Sequence, residues 1–402
     1  MSDSMFSDLK VIDCGSYIAG PAAATIMADF GADVIKIEPP GAGDPYRYVP
    51  SIPGTPNSEH NYGWLLDSRN KRGLALDLGN PQGREVLHRL AREADVFVSN
   101  YPAAVRNKLG LDYDTLAALN ERLIYASFSG YGEVGAEATK PGFDVTAWWA
   151  RSGMMDQVRA AADAPPVRPV VGMGDHPSAV ALYAAIASAL YQRERTGKGM
   201  KVSSSLLANG LWANAFMVQA ALCGATFVPR PAREDGLNAL TSYFQCRDGK
   251  WLILTILNEE RHWPVLARCL EREDLLEDPR FVTKKDRQGN STVLIAELDE
   301  AFAQRDRESW QEDLNAQGII FEIVATPGDL PADPQVKANG LAVPFADDES
   351  LYTVDSPFTI SGIEKVRPVL PPAVGQHTDD VLAEVGYGPD EIAQLRADGA
   401  VA

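Results

Sequence analysis

The chain predicts an α/β fold: a Rossmann-like parallel sheet forming the large domain, with a smaller α+β domain after it. Three observations carry this reading. Short apolar runs alternate with helical patterns through the first third of the chain, which is the signature of parallel strands joined by crossover helices. The first run passes through a Gly-containing turn into a small-residue helix and a second run, completing one βαβ unit. Past residue 222 the character changes to a Pro-, Arg- and Gly-containing stretch followed by a hairpin, which marks a second domain.

In order, residues 9–13 read as a buried strand, 15–21 as the turn, 22–30 as the small-residue helix and 32–38 as the second strand. Strands at 74–78, 95–99 and 123–127 then alternate with helices at 81–93 and 113–120, which favours a parallel sheet. A helix over 177–195 ends at Thr196-Gly197-Lys198-Gly199, and a strand-to-helix segment covers 201–222. Residues 229–238 form a linker. Residues 243–254 form a hairpin with Asp248-Gly249 at its turn. Helical patterns cover 260–272 and 292–315. A Pro-containing stretch over 331–344 gives way to strand-like pieces and a last amphipathic helix, 379–385.

At 402 residues, 45% hydrophobic and 23% charged, the chain has the core of two to three domains. A formal charge of −18 disfavours nucleic acid and anionic membrane as partners, since both need a basic footprint. A phosphate-bearing ligand must therefore meet a local basic patch. Cys14, Cys223, Cys246 and Cys269 are widely spaced, lie mostly in apolar surroundings and read as reduced, buried thiols of a cytoplasmic protein. Residues 1–10 lack a basic segment followed by an apolar one, and no apolar run is long enough to span a bilayer.

The first strand-to-helix turn, Cys14 to Pro21, has no Gly-x-Gly, and there is no GxxxxGK[ST] loop, so dinucleotide and ATP chemistry lack support. The five histidines show no metal-ligand spacing and the cysteines do not join them, so no metal is expected. The absence of GxSxG disfavours a serine hydrolase. What stands out is Asp175 in Val171-Gly172-Met173-Gly174-Asp175-His176, just before a small-residue helix. Two readings of it are open: a cap for the helix starting near Pro177, or a carboxylate nucleophile given room by Gly174.

An ordered set of motifs spans nearly the whole chain: Ile18-Ala19-Gly20-Pro21, Asp29-Phe30-Gly31-Ala32-Asp33-Val34-Ile35-Lys36-Ile37-Glu38, Gly41-Ala42-Gly43-Asp44, Asn70-Lys71-Arg72-Gly73-Leu74-Ala75-Leu76-Asp77-Leu78, Asn100-Tyr101, Leu109-Gly110-Leu111, Gly130-Tyr131-Gly132, Pro141-Gly142-Phe143-Asp144, Gly174-Asp175, Thr196-Gly197-Lys198-Gly199 and Gly375-Gln376-His377-Thr378. Together they resemble the class III CoA-transferases of the formyl-CoA and carnitine CoA-transferase type. The resemblance implies a large CoA-binding domain over 1–225, a small domain over 226–325 and a return to the large domain over 326–402. It also implies an interlocked homodimer that takes coenzyme A thioesters as substrates and needs no permanently bound cofactor.

By the same resemblance Asp175 is the nucleophile, acting through an aspartyl anhydride and an aspartyl-CoA thioester. CoA contacts fall on Ile18, Ala19, Arg72, Leu76, Asp77, Asn100, Tyr101, Lys108, Leu109 and Lys140. Pro39 stands where the formate/oxalate enzyme has an arginine, which nominates Arg47, Lys71 or Arg72 for the CoA phosphates. Phe143, Asp144 and Trp148 are the substrate-side candidates. The alternative is a CoA-thioester racemase or isomerase on the same fold. That branch carries a histidine where this chain has Phe143, so the second acid/base is missing and transfer is favoured. The stretch from Pro141 to Gly153 looks most like the branch acting on 2-hydroxy and aryl acids. Trp148-Trp149 reads equally as acyl pocket, core or dimer interface, Asp144 as a second carboxylate or a cap, and His176 as a packing or hydrogen-bonding neighbour of the nucleophile rather than a proton shuttle.

Overall fold

The computed structural model describes residues 4–402. Residues 1–3, part of the N-terminal stretch read above for a leader, lie outside the described residues. The chain divides into two compact units. The first holds residues up to Gln157, Arg168–Gly224 and Gln335–Ala402; the second holds Val158–Val167 and Ala225–Pro334.

The first unit runs β1 (Lys10–Asp13), α1 (Ala19–Asp29), β2 (Asp33–Glu38), α2 (Tyr62–Asp67), β3 (Lys71–Ala75), α3 (Pro81–Glu93), β4 (Val96–Ser99), α4 (Ala103–Leu109), α5 (Tyr113–Leu119), β5 (Ile124–Ser129), α6 (Met154–Gln157), α7 (Asp175–Thr196), β6 (Met200–Ser205), α8 (Leu206–Ala213) and α9 (Ala215–Leu222). Among the described residues six strands pair in the order β3-β2-β1-β4-β5-β6, every neighbour parallel. The predicted α/β class and Rossmann-like parallel sheet are thus present. Val96, Phe97 and Val98 are fully buried because helices cover both faces, as a parallel sheet requires. On one face α1, whose residues are all buried, packs against α7. Its Ala- and Gly-rich surface allows that close approach. On the other face α3 buries Val86, Leu87, Leu90 and Ala91 on one stripe, started by Asn80, which caps the Gln82 N–H, and by Pro81.

The strand expected at 74–78 is instead β3 over Lys71–Ala75. Lys71 and Arg72 can open this strand because both side chains are neutralised by carboxylates.

In the second unit β7 (Tyr243–Gln245) and β8 (Trp251–Leu254) form the predicted hairpin, with Gly249 at φ +76° in its turn. Helices α10 (Glu259–Cys269), α11 (Asp274–Glu277), α12 (Lys284–Gly289), α13 (Ser291–Phe302) and α14 (Arg307–Ala316) lead to β9 (Phe321–Ile323), which pairs antiparallel with β8. The single helix expected over 292–315 breaks between α13 and α14. Asp306 adopts extended backbone there, and the Trp310 indole turns back to donate to Phe302 O (2.8 Å). That bond satisfies a terminal carbonyl of α13.

After α15 (Pro334–Ala338) and the antiparallel pair β10 (Ala342–Pro344) and β11 (Tyr352–Val354), the tail folds onto the parallel sheet as α16 (Thr378–Glu384) and α17 (Pro389–Ala397). His377 fastens it: Nδ1 accepts from Gly73 N–H (3.0 Å), while its own N–H donates to Gly73 O (2.9 Å). Helix α17 lies beyond the last helix the sequence pattern predicts, which ends at 385. Of the four cysteines expected to be buried, Cys14 and Cys246 are, whereas Cys269 is half-buried and Cys223, just past α9, is exposed. No described helix is long and apolar enough to cross a membrane.

Candidate active site

In this strand order the chain leaves β1 and β4 in opposite directions, which opens a crevice at their carboxyl ends, the general ligand site of open α/β sheets. The residues after β1 and β4 meet there. Asn100 clasps Ser16, accepting from its N–H at Oδ1 (2.9 Å) and donating Nδ2 to its carbonyl (2.7 Å). Tyr17 follows at φ +62°, a left-handed conformation disfavoured for a bulky residue. It is held by its N–H to Asp44 Oδ1 (3.1 Å).

Beneath this loop lies a buried charge network. Lys36 Nζ donates to Asp44 Oδ2 (2.9 Å) and Gly15 O (2.5 Å); Lys71 Nζ donates to Asp13 Oδ2 (2.9 Å), Pro21 O and Asp67 O (both 2.8 Å). Burial pushes the Asp13 carboxyl up, but Lys36 and Lys71 outweigh it and leave Asp13 below its ordinary value.

Asp175 is the first residue of α7, with Gly174 as the cap position, so the helix begins two residues before the predicted Pro177. The cap carboxylate is Asp144, whose Oδ2 accepts from Gly174 N–H (3.1 Å). Asp144 opens a π-helical turn over Asp144–Ala150, a segment the sequence did not disclose. A Cβ on Gly174 would stand 2.3 Å from Asp144 Oδ1 and 2.5 Å from Trp148 Cγ. The room that glycine leaves is therefore filled by protein, a correction to the expectation that it admits substrate. Gly172, at φ +86°, leaves room in turn for the His176 ring, whose Cε1 lies 2.9 Å from where a Cβ would be.

His176 is a hydrogen-bonding neighbour of Asp175, one of the two readings its position allowed. Nε2 lies 3.0 Å from Asp67 Oδ1, Nδ1 lies 3.0 Å from Gly172 O, and Tyr46 Oη donates to Asp67 Oδ2 (2.7 Å). Three aspartates and one histidine thus surround the start of α7. Burial pushes the Asp175 carboxyl up to about 7; the Asp144 charge adds to this, His176 opposes it and Asp67 adds slightly. Among the described residues nothing donates a hydrogen bond to this carboxylate. Asp144 is raised as well, by burial against the opposing N–H groups of Gly174, Gly172 and Asp175. The positive end of a 22-residue helix does not offset the burial and like charge. The arrangement presents a half-buried carboxylate with no hydrogen bond of its own among the described residues, the state in which such a group is most nucleophilic once ionised.

The other nominated residues divide. Ile18, Ala19, Asn100 and Tyr101 lie at the crevice, the first two buried and the last two half-buried. Phe143 is 54% exposed, its ring edge-on to Tyr17 at 5.7 Å, so these two offer an aromatic surface. Trp148 and Trp149 are buried in the core, the second of the readings open to them. Leu76 is buried and bridges Val401; Asp77 caps its own turn by accepting from Gly79 N–H (2.8 Å).

None of the three cations nominated for the CoA phosphates has charge to spare. Arg72 forks between Asp33 (2.6 Å), which opens β2, and Glu384 (2.7 Å), at the amino-terminal edge of the sheet. Lys71 is enclosed. Arg47 is bidentate to Glu38 (2.7 and 2.8 Å) and lies 3.8 Å over the Trp64 ring. Lys108 and Leu109 end α4, with Lys108 exposed and Leu109 half-buried. Lys140 is exposed, paired with Glu137 (2.9 Å), and lies 5.0 Å from the Tyr131 ring centre. No group of three or more His, Cys, Asp or Glu among the described residues is placed to hold a metal ion.

A family model described as CoA-transferase family III matches residues 6–378. Cinnamoyl-CoA:phenyllactate CoA-transferase of Clostridium sporogenes is 32% identical, covering 98% of this chain and 97% of its own. (R)-2-hydroxy-4-methylpentanoate CoA-transferase of Clostridioides difficile is also 32% identical, with 98% of both chains covered. The crystal structure of a CAIB/BAIF family protein from Brucella suis superimposes with a TM-score of 0.86 at 29% identity, over 96% of this chain and all of that one.

Proposed function

We propose, from the premise that this chain belongs to CoA-transferase family III, that Asp175 is the group through which CoA passes from one carboxylic acid to another. The enzyme is a CoA-transferase, taking CoA thioesters and acids as substrates. In the proposed route an Asp175 oxygen attacks the thioester carbonyl, the carbon–sulfur bond breaks, and CoA leaves as thiolate. The thiolate attacks the aspartyl carbonyl of the resulting anhydride, which expels the donor acid as its carboxylate and leaves an aspartyl-CoA thioester. The acceptor carboxylate reverses both steps. No net proton, metal or nucleotide is consumed.

The observation that carries this reading is the Asp175 carboxylate itself, unbonded and pushed up by burial at the first turn of α7. Its test is trapping. With an acyl-CoA present, hydroxylamine should convert Asp175 to a hydroxamate, found by peptide mass spectrometry; a hydroxamate at another residue during turnover would overturn it. For the acid we propose a 2-hydroxy acid with an aryl or branched apolar side chain, supported by the exposed Phe143–Tyr17 pair and by the names of the two relatives. Lys108 and Lys140 are the exposed cations proposed for the CoA phosphates.

We further propose that the working form is an interlocked homodimer. Trp212, Phe216 and Leu222 on α8 and α9 are 83%, 86% and 77% exposed, an apolar surface that a second copy would cover. Sedimentation equilibrium should give twice the 43.5 kDa chain mass, and a stable monomer at micromolar concentration would refute it.

A further inference from the structure

The mechanism above leaves the His176–Asp67–Tyr46 chain without a task. It is too well built for simple packing. Asp67 ends α2, and its carbonyl is pinned by Thr25 Oγ1 (2.6 Å) and Lys71 Nζ (2.8 Å), which fixes the carboxylate. Tyr46 reaches Oδ2 because Gly63 leaves it room: a Cβ there would lie 2.9 Å from Tyr46 Oη. Gly172 clears the slot for the imidazole in the same way.

The protons follow from the partners. A carbonyl oxygen has none to give, so Nδ1 must be the donor to Gly172 O. The remaining proton lies between Nε2 and Asp67 Oδ1, and the Tyr46 hydroxyl donating to Oδ2 favours the carboxylate, so the ring keeps it. Both ring nitrogens then carry hydrogen. The resulting charge sits one residue from Asp175, in a cluster whose other ionisable members are Asp144, Asp67 and Tyr46.

Resting on the assignment of Asp175 as nucleophile, we propose that Asp67 and Tyr46 hold His176 as an imidazolium, and that its charge keeps the Asp175 carboxylate ionised. His176 is a positioning residue in this scheme: it sets the charge state of Asp175 without bonding to substrate. Without the cation, three carboxylates would face one another, and Asp175 would take up a proton, since Asp67 and Asp144 each accept a hydrogen bond that favours their charge. The ring's own titration agrees: burial would push it down, but the hydrogen bond and charge of Asp67 leave it above its ordinary value.

The test is the acid limb of kcat/KM in the wild type, Asp67→Asn and His176→Gln. The His176→Gln limb should move to higher pH by about one unit, since Asp67 stays charged while the cation is lost. In Asp67→Asn the unsupported ring should deprotonate, with one negative charge also removed, so its limb should move the same way by less. Activity should return toward wild type in both as pH rises to about 9, which a structural role would not allow. Limbs coincident with wild type, or a loss equal at every pH, would overturn the proposal. Should Asp67→Asn fail to fold, His176→Gln carries the test. Asp175→Ala separates the two claims: activity there sinks the nucleophile, whereas an inactive Asp175→Ala with unshifted limbs sinks only the role of His176.

Discussion

Replacing Asp175 with alanine is expected to lower kcat for CoA exchange by at least about three orders of magnitude, because it removes the only covalent carrier in the proposed route. Binding should change far less, since the crevice residues Ile18, Ala19, Asn100 and Tyr101 are untouched. Asp175→Asn keeps the shape and should be equally inactive. Stability gives an independent sign. With its folded value near 7 against 3.8 for a free carboxyl, Asp175 destabilises the fold fully above about pH 7 and not at all below 3.8. Asp175→Asn should therefore melt higher than wild type at pH 8 and equally at pH 3.5. A dead variant that melts lower at pH 8 would have lost its structure, not its nucleophile. The same titration sets the wild-type rate: kcat/KM should fall about tenfold per unit as pH drops below 7 and level off above it. Retention of more than a tenth of the wild-type kcat in Asp175→Ala would end the covalent reading.

Much of the frame that carries Asp175 is legible in the sequence, because apolar runs and Gly turns report local demands. The strands at residues 9–13, 32–38 and 95–99 are visible as apolar runs, and β1, β2 and β4 lie within them. Asp175 itself is marked by Gly172 and Gly174, although the glycines serve His176 and Asp144. What stays hidden depends on contacts between distant positions. Asp67 and His176 are 109 residues apart, and no local pattern links them or predicts that Tyr46 completes the set. The π-helical turn at Asp144 is also non-local, since it exists to bring that carboxylate to the start of α7. One signal was available. Lys36 within Val34-Ile35-Lys36-Ile37, and Asp13 closing Val11-Ile12-Asp13, are charges inside strands buried on both faces. A charge there must be paired, and their pairing defines the floor of the site.

That floor carries the second large effect. Asp13→Ala is expected to lower unfolding free energy by about 3–5 kcal/mol, the usual consequence of stranding a buried charge. Lys36 would keep Asp44, but Lys71 would be left with the Pro21 and Asp67 carbonyls alone. The pH dependence separates this cause from lost packing. Burial already holds Lys71 below its ordinary value, with Asp13 resisting; without Asp13 it should fall further. A lysine with a depressed folded value costs stability while protonated and less as pH rises, because the unfolded chain then binds more protons than the folded one. The deficit of Asp13→Ala should accordingly shrink between pH 7 and about 9.5, and adding Lys71→Met should recover part of it at pH 7 by removing the stranded cation. Because Asp13 Oδ1 also accepts from Gly15 N–H (3.1 Å), the turn before Tyr17 should loosen and raise KM for the CoA thioester. Chemical denaturation across that pH range decides the matter: a deficit below about 1 kcal/mol, or one that deepens when Lys71 is also replaced, would show that the charges beneath the crevice are not what holds it.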